Sequence, residues 1–156
     1  MTLYRKAADQ GDAIAQSNLG ACYFNGIGVP EDKSKAVEWF RKAADQGHLK
    51  SQYNVGNVYY SGVGVAEDKV EAAKWFLKAA KRGSAPAQVA LGICYQYGGG
   101  VAKNAAESVK WFRKAAEAGD AQEDVVPTLY GKPLNAVEFQ KALSERVQEL
   151  SLRGEF

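Results

Sequence analysis

The residue types that most often carry out catalysis are sparse in this chain and form no known catalytic pattern. His48 is the sole histidine, and the two cysteines, Cys22 and Cys94, lie far apart in the sequence, so they offer no ligand set for a transition metal. No Gly-x-Ser-x-Gly motif occurs, and no serine is followed three residues later by lysine, as two common types of serine enzyme require. The sequence therefore predicts no catalytic residue, no cofactor and no metal site. It places His48 as an exposed residue at a helix start.

Two other patterns have both a chemical and a structural interpretation. The acidic pairs Glu31–Asp32 and Glu67–Asp68 could act as paired carboxylates, but each stands just before a helical segment, where an acidic residue caps the helix. Glycine pairs recur in GIGV (26–29), GVGV (62–65) and GGGV (98–101). They lack the further glycine or the lysine of a phosphate-binding loop. Helix caps and turn glycines therefore explain both patterns.

A nine-residue segment recurs through most of the chain at a constant interval of 36 residues. It reads WFRKAADQG at 39–47, WFLKAAKRG at 75–83 and WFRKAAEAG at 111–119, with a shortened copy, LYRKAADQG, at 3–11. A partial unit at 1–10 and three full units, 11–46, 47–82 and 83–118, follow from this interval. Residues 1–119 are therefore predicted to form a repeat array.

Each unit predicts two short helices. In the first helix, a small residue is followed four residues later by Leu or Val and eight residues later by Tyr, which marks one face of a helix. A glycine follows the Leu or Val in every unit, at Gly20, Gly56 and Gly92. Because glycine destabilises a helix interior by about 1 kcal/mol, its presence indicates that another helix crosses closely there.

The ends of both helices are also marked. The glycine pair ends the first helix, because a left-handed C-cap favours glycine, and Asp32, Asp68 and Asn104 stand at the N-cap of the second. Glu71 and Glu107 follow three residues after their caps, which predicts capping boxes. One hairpin cannot bury its own apolar face, so hairpins must stack. The predicted fold class is all-α, an α-solenoid of stacked helical hairpins with 36-residue repeats, plus a divergent C-terminal helix.

The pattern A-x-x-x-L-G-x-x-Y-x-x-G-x-G-V-x-x-D-x-x-x-A-x-x-W-F-x-K-A-A-x-x-G resembles the Sel1-like repeat, a relative of the tetratricopeptide repeat, from residue 3 to about 119. The resemblance implies an adaptor, since members of this family hold partner proteins or peptides on stacked helices. Some cysteine-rich members carry a disulfide in each repeat, which this chain lacks. Its other departures are mild: Ser51 and Ser108 replace Ala, and Val55 replaces Leu.

Residues 120–156 abandon the repeat. Residues 120–134 are expected to be an irregular connector, since Pro127 and Pro133 prevent a regular helix. Residues 135–152 are expected to form an amphipathic helix, with Asn135 and Glu138 as its capping pair. This helix is either a cap over the last repeat or a segment that docks in a groove of its own or a neighbouring chain. Fused foreign sequence is the third alternative.

Residues that vary between units on a second face of the first helix are the candidate partner-binding residues, here called the strip. The resemblance implies that these positions line a concave groove. Their aromatic rings supply rigid contact area and their amides can pair with a peptide backbone, unless the rings only complete the protein's own core. The strip consists of Ile14, Ser17, Ala21, Phe24, Asn25, Lys50, Tyr53, Asn57, Tyr60, Ser61, Val89, Ile93, Gln96 and Tyr97.

The sequence thus predicts a non-enzymatic adaptor or scaffold that binds a protein or peptide along the strip. One alternative is a self-assembling module, in which open ends or the C-terminal helix mediate homo-oligomers. A weak hydrolase is the second alternative.

Composition argues against other classes of partner. The formal net charge is +2, which is too small to indicate nucleic acid or a membrane surface, and no apolar run is long enough to span a bilayer. The two cysteines, at equivalent positions of different repeats, are expected to be free and largely buried. The compartment stays open between the cytoplasm and the periplasm or secretion.

Overall fold

Helices recur along the chain with the predicted interval. The computed structural model describes residues 2–118, 128–129, 132–133 and 152. Seven helices occupy the first of these ranges: α1 (Thr2–Asp9), α2 (Ala13–Asn25), α3 (Lys33–Asp45), α4 (Leu49–Ser61), α5 (Lys69–Lys81), α6 (Ala85–Tyr97) and α7 (Ala105–Ala118). The first helices of the hairpins begin at 13, 49 and 85, and the second helices at 33, 69 and 105. The predicted fold class, an all-α solenoid of hairpins with a 36-residue repeat, is confirmed.

The chain divides into two compact units, Met1–Trp75 and Phe76–Phe156. Within the first unit, α1 packs on α2, α2 on α3 and α3 on α4. The apolar side chains of these helices and Trp75 at the start of the repeat segment on α5 form one buried core, which includes Leu19, Phe40 and Val55. Within the second unit, α6 packs on α7.

The helix ends follow the sequence signals. Gly26, at the end of α2, is left-handed with φ 67° and donates its N–H to the Cys22 carbonyl, and Gly62 and Gly98 do the same at the ends of α4 and α6. Asp32 Oδ1 accepts the N–H of Lys35 at 3.0 Å. Asp68 and Asn104 cap α5 and α7 in the same way. The predicted C-caps and N-caps are confirmed.

The predicted capping boxes are wrong. In a capping box the glutamate would accept the backbone N–H of its cap residue, but the Asp68 N–H donates instead to the Tyr59 carbonyl at 2.8 Å. Glu71 is therefore free for another contact, and its carboxylate accepts the indole N–H of Trp75 at 3.2 Å. The Asn104 N–H likewise donates to the Tyr95 carbonyl. The carbonyl at the end of the first helix outcompetes the glutamate side chain in both hairpins.

Two of the three predicted helix glycines, Gly20 and Gly92, lie at close crossings, as predicted. A Cβ atom at Gly20 would lie 2.8 Å from Cδ1 of Phe40, and one at Gly92 would lie 2.8 Å from Cε1 of Phe112. Ser108, which departs from the usual alanine, is fully buried and donates from Oγ to the Gly92 carbonyl at 2.8 Å. In the hairpins α2/α3 and α6/α7, the two helices thus meet with a phenylalanine ring of one against the backbone of the other.

The described part of the tail is a minimal strand pair. Strand β1 (Thr128–Leu129) pairs antiparallel with β2 (Lys132–Pro133), with Thr128 opposite Pro133. The rest of the predicted connector at 120–134, and the predicted helix at 135–152 apart from Leu152, lie outside the described residues.

Neither Cys22 nor Cys94 forms a disulfide, as predicted, and Cys22 is half-buried and Cys94 buried. Across the described residues, no three His, Cys, Asp or Glu side chains gather as a metal site. Over the same residues, none of the helices has the length and apolar character that a membrane span requires.

Candidate functional site: the strip on the first helices

In the first unit, α2 exposes the two ends of its part of the strip. Ile14 is 64% exposed, and Asn25 is also exposed. Ala21 and Phe24 are half-buried, and Ser17 is buried. The accessible part of the strip on α2 therefore consists of an aliphatic side chain, an amide, a methyl group and part of an aromatic ring.

Helix α4, also in the first unit, repeats this arrangement with more polar groups. Lys50 and Ser61 are exposed, and Asn57 and Tyr60 are half-buried. Tyr53 is only 3% exposed and belongs to the core. The accessible part of the strip on α4 thus combines one cation with an amide, a hydroxyl and a phenol ring.

In the second unit, α6 divides its four strip residues between core and surface. Tyr97 is 61% exposed and Ile93 is half-buried, whereas Val89 and Gln96 are buried. Sequence variation at these positions did not reveal which of them the fold covers. Four residues that were predicted to bind a partner are therefore buried: Ser17, Tyr53, Val89 and Gln96.

Charge is segregated between the two kinds of helix. Helices α2 and α6 carry no charged side chain, and α4 carries only Lys50. The second helices differ: α3 carries six charged side chains, and α5 and α7 carry five each. Each first helix therefore carries aromatic and amide groups with at most one charge, and each second helix carries five or six charges.

A lysine from the second helix holds the Phe24 ring of the strip. Lys33 Nζ lies 3.7 Å from the centroid of that ring and donates to the Phe24 carbonyl at 2.8 Å. Its charge is balanced by Glu31, whose Oε1 lies 3.3 Å away. The Phe24 ring also lies near the ring of Phe40, with centroids 6.3 Å apart and an interplanar angle of 51°. Lys33 and Phe40 therefore both contribute to the position of the Phe24 ring.

The next hairpin repeats the lysine contact. Lys69 Nζ lies 5.1 Å from the centroid of the Tyr60 ring and 3.7 Å from Oε1 of Glu67. At the same positions of the third hairpin the sequence has Gln96 and Ala105, so ring and lysine are both absent. The sequence analysis did not identify this pairing, although the sequence shows that ring and lysine are replaced together in the third hairpin.

The amide of Asn25 is partly engaged within its own helix. Its Nδ2 donates to the Ala21 carbonyl at 3.0 Å. The Asn25 Oδ1 acceptor and the second N–H of the amide are the groups that remain to pair with a peptide backbone.

Buried glutamines join each first helix to the preceding second helix. Gln16 Nε2 donates to the Ala8 carbonyl at 3.2 Å, and Gln52 and Gln88 donate in the same way to Ala44 and Ala80. Sequence reasoning did not single out these glutamines, although the residue is the same in all three units. They tie each of the three strip helices to the helix before it.

A second set of bonds between hairpins is made by arginine. Arg5 donates from its guanidinium to the Tyr23 hydroxyl at 2.9 Å, and Arg41 donates to Tyr59 at 2.6 Å. The equivalent of these arginines in the next repeat is Leu77. These bonds fix the last turns of α2 and α4, where the strip rings lie.

His48 lies at a helix start, as predicted, but it is not exposed. It is half-buried and is the N-cap of α4, with Nδ1 accepting the Ser51 N–H at 3.3 Å and contacting Ser51 Oγ at 2.8 Å. Asp12 and Ser84 cap α2 and α6 at the equivalent positions. The imidazole therefore replaces a carboxylate or hydroxyl as a helix cap.

The repeat and its structure have known counterparts. The family model of the Sel1 repeat matches residues 1–12, 13–48, 49–84 and 85–120. A Sel1 repeat protein from Oxalobacter formigenes is 30% identical, with a TM-score of 0.74 over 95% of this chain and 96% of that chain. None of the curated proteins matches the chain.

Two further bacterial structures are similar. The protein c5321, a protective antigen present in uropathogenic Escherichia coli strains, displays an SLR fold and is 36% identical, with a TM-score of 0.74 over 93% of this chain and 33% of that chain. Helicobacter pylori cysteine rich protein B is 25% identical, with a TM-score of 0.59 over 76% of this chain and 84% of that chain.

Proposed function

The chain belongs to the Sel1 repeat family, and on that premise we propose that it is a non-enzymatic adaptor that holds a partner protein or peptide along the strip. Proteins with Sel1 repeats are generally protein-interaction scaffolds, and the repeat is a non-catalytic scaffold fold. The strip is the surface that we propose for this role in the present chain.

The observation that carries the proposal is the segregation of charge. The centres of protein interfaces are depleted of charged residues and enriched in aromatic ones, and α2, α4 and α6 carry a single charge among them. Phe24, Tyr60 and Tyr97 add rings that are at least partly accessible. A helix face with this composition is suited to contact with another protein rather than to solvent alone.

Capture of partners by the immobilised chain tests this proposal. Tyr60→Ala combined with Tyr97→Ala should release the partners that the wild-type chain retains, while circular dichroism shows that the helices persist. The matched control combines Glu38→Ala with Lys81→Ala on the exposed faces of α3 and α5, and it should retain them. Retention of every partner by the folded tyrosine variant would rule out the strip.

A self-assembling role is the second candidate, and one observation favours it. Leu3 on α1 is 84% exposed and Tyr4 is 45% exposed, whereas the equivalent of Tyr4 in the next repeat, Phe40, is 5% exposed. An apolar face of this kind favours contact with another molecule. Light scattering across a range of concentrations should then show association that Leu3→Lys with Tyr4→Lys abolishes. A wild-type chain that stays monomeric at every concentration excludes self-assembly through α1.

A further inference from the structure

Two lysines that lie outside the strip contact its rings in the first unit. Lys33 approaches the Phe24 ring to 3.7 Å and Lys69 approaches the Tyr60 ring to 5.1 Å. Each lysine opens the second helix of its hairpin, and each ring lies in the last turn of the first helix. The same pairing of lysine and ring in two successive hairpins indicates that the pairs have a common role.

We propose that Lys33 and Lys69 are positioning residues, which hold Phe24 and Tyr60 as fixed anchors for an extended peptide that carries no charged side chains toward the strip. The inference rests on the proposed binding function. It assigns the recognition of apolar side chains to the first unit, because the third hairpin has Gln96 and Ala105 in place of ring and lysine.

The bonds of the two lysines support a positioning role. Lys33 is held at three points, by the Phe24 ring, the Phe24 carbonyl and Glu31, so it cannot leave the ring without breaking the other two contacts. A cation over an aromatic face is attracted by the ring quadrupole. A ring that is already fixed loses less conformational entropy when a ligand binds to it.

The charge of the surface determines the chemistry of the peptide. Glu31 and Glu67 balance the ammonium groups of the two lysines, and Lys50 is the sole charged side chain on α2 and α4. A charged peptide side chain placed over α2 or the last turns of α4 would lose hydration without gaining an opposite charge. Apolar and aromatic side chains on a polar, uncharged background are therefore the expected ligand.

An array of short synthetic peptides tests the inference. One set carries two Leu, Phe or Tyr residues on a background of Ser, Asn and Gly, and matched sets carry two Glu or two Lys instead. Labelled wild-type protein should prefer the first set, with an affinity that changes little between low and high salt. The variants are Lys33→Met, Lys69→Met and the pair of them, with Lys33→Arg and Lys69→Arg as the rescue and exposed Lys81→Met as the control.

The variant with both lysines changed to methionine should bind the preferred peptides about tenfold more weakly than the wild type, and each single variant about threefold more weakly. The thermal midpoint of the double variant should stay close to that of Lys81→Met. The arginine pair should restore binding, because arginine keeps the cation over the ring. Unchanged affinity in the methionine pair, or a loss that arginine does not restore, would overturn the positioning role and leave the proposed function standing. A wild-type preference for charged peptides would overturn the stated ligand. Absence of binding to every set would overturn both this inference and peptide binding by the strip.

Discussion

Gln46 donates a hydrogen bond from Nε2 to Oε1 of Gln16 at 2.8 Å, across thirty residues of chain. Gln16 in turn donates to the Ala8 carbonyl, so one buried amide joins α1, the start of α2 and the end of α3. In the third full repeat, Gln88 makes the equivalent donation to Ala80, but its Oε1 is buried and accepts no hydrogen bond from the described residues. Both the donor and the acceptor of the Gln16 amide are therefore hydrogen-bonded, whereas in Gln88, among the described residues, only the donor is.

Gln46→Ala should lower the free energy of unfolding by about 1 kcal/mol, because it leaves the buried Oε1 of Gln16 without a donor. Urea denaturation followed by circular dichroism measures the loss. Gln10 occupies the equivalent position of the partial first repeat and is exposed, so Gln10→Ala is the matched control and should have little effect. Equal stability of the two variants would contradict a role for the buried amide.

Gly20→Ala should lower the free energy of unfolding by about 1–3 kcal/mol, because the added methyl group overlaps the Phe40 ring. An alanine in an unobstructed helix would instead raise it by about 1 kcal/mol. Phe40→Leu creates room for the methyl group, so Gly20→Ala should be far less harmful in that background. A double-mutant cycle by denaturation measures the coupling, and additive losses would count against the close contact.

Leu77→Arg should raise the free energy of unfolding by about 0.5–1 kcal/mol. The new guanidinium would stand toward Tyr95 as Arg41 stands toward Tyr59. Leu77→Lys supplies the charge without the planar fork of donors and should gain less. Thermal denaturation compares the three chains, and an arginine variant no more stable than the lysine variant would refute the equivalence.

His48→Asp should stabilise the chain by about 0.5–1 kcal/mol, because aspartate is a preferred N-cap and its charge favours the N-terminal end of a helix. His48→Ala should destabilise it by a similar amount, because the Ser51 N–H loses its acceptor. Urea midpoints at neutral pH rank the three chains. If the alanine variant were as stable as the wild type, the imidazole would not be a functional cap.

The sequence predicted the local features well because they depend on single positions. Gly26 as a left-handed C-cap, Asp32 as an N-cap and Gly20 as a close crossing each follow from a residue type at a fixed place in the repeat. The 36-residue interval also predicted the order of the helices, because every full unit contains the same first and second helix. Three in-phase copies of one pattern left little freedom for another fold.

Features that depend on neighbouring helices were harder to predict. The capping box failed because the Tyr59 carbonyl, nine residues before Asp68, takes the cap N–H. Tyr53 was predicted to be at the binding surface but is buried, because variation at a position does not say which helix covers it. Gln16 was overlooked because its partners lie outside its own helix, Ala8 on α1 and Gln46 at the C-cap of α3.

The glutamine bonds between hairpins have a consequence for how such chains evolve. Gln16, Gln52 and Gln88 each reach a carbonyl eight residues earlier, so both partners are encoded within one short stretch of the gene. An in-frame tandem duplication of one 36-residue repeat would carry a complete new junction with it. Lengthening by whole repeats therefore keeps every such junction intact, whereas an insertion between a glutamine and its carbonyl partner would change their eight-residue spacing and break the bond.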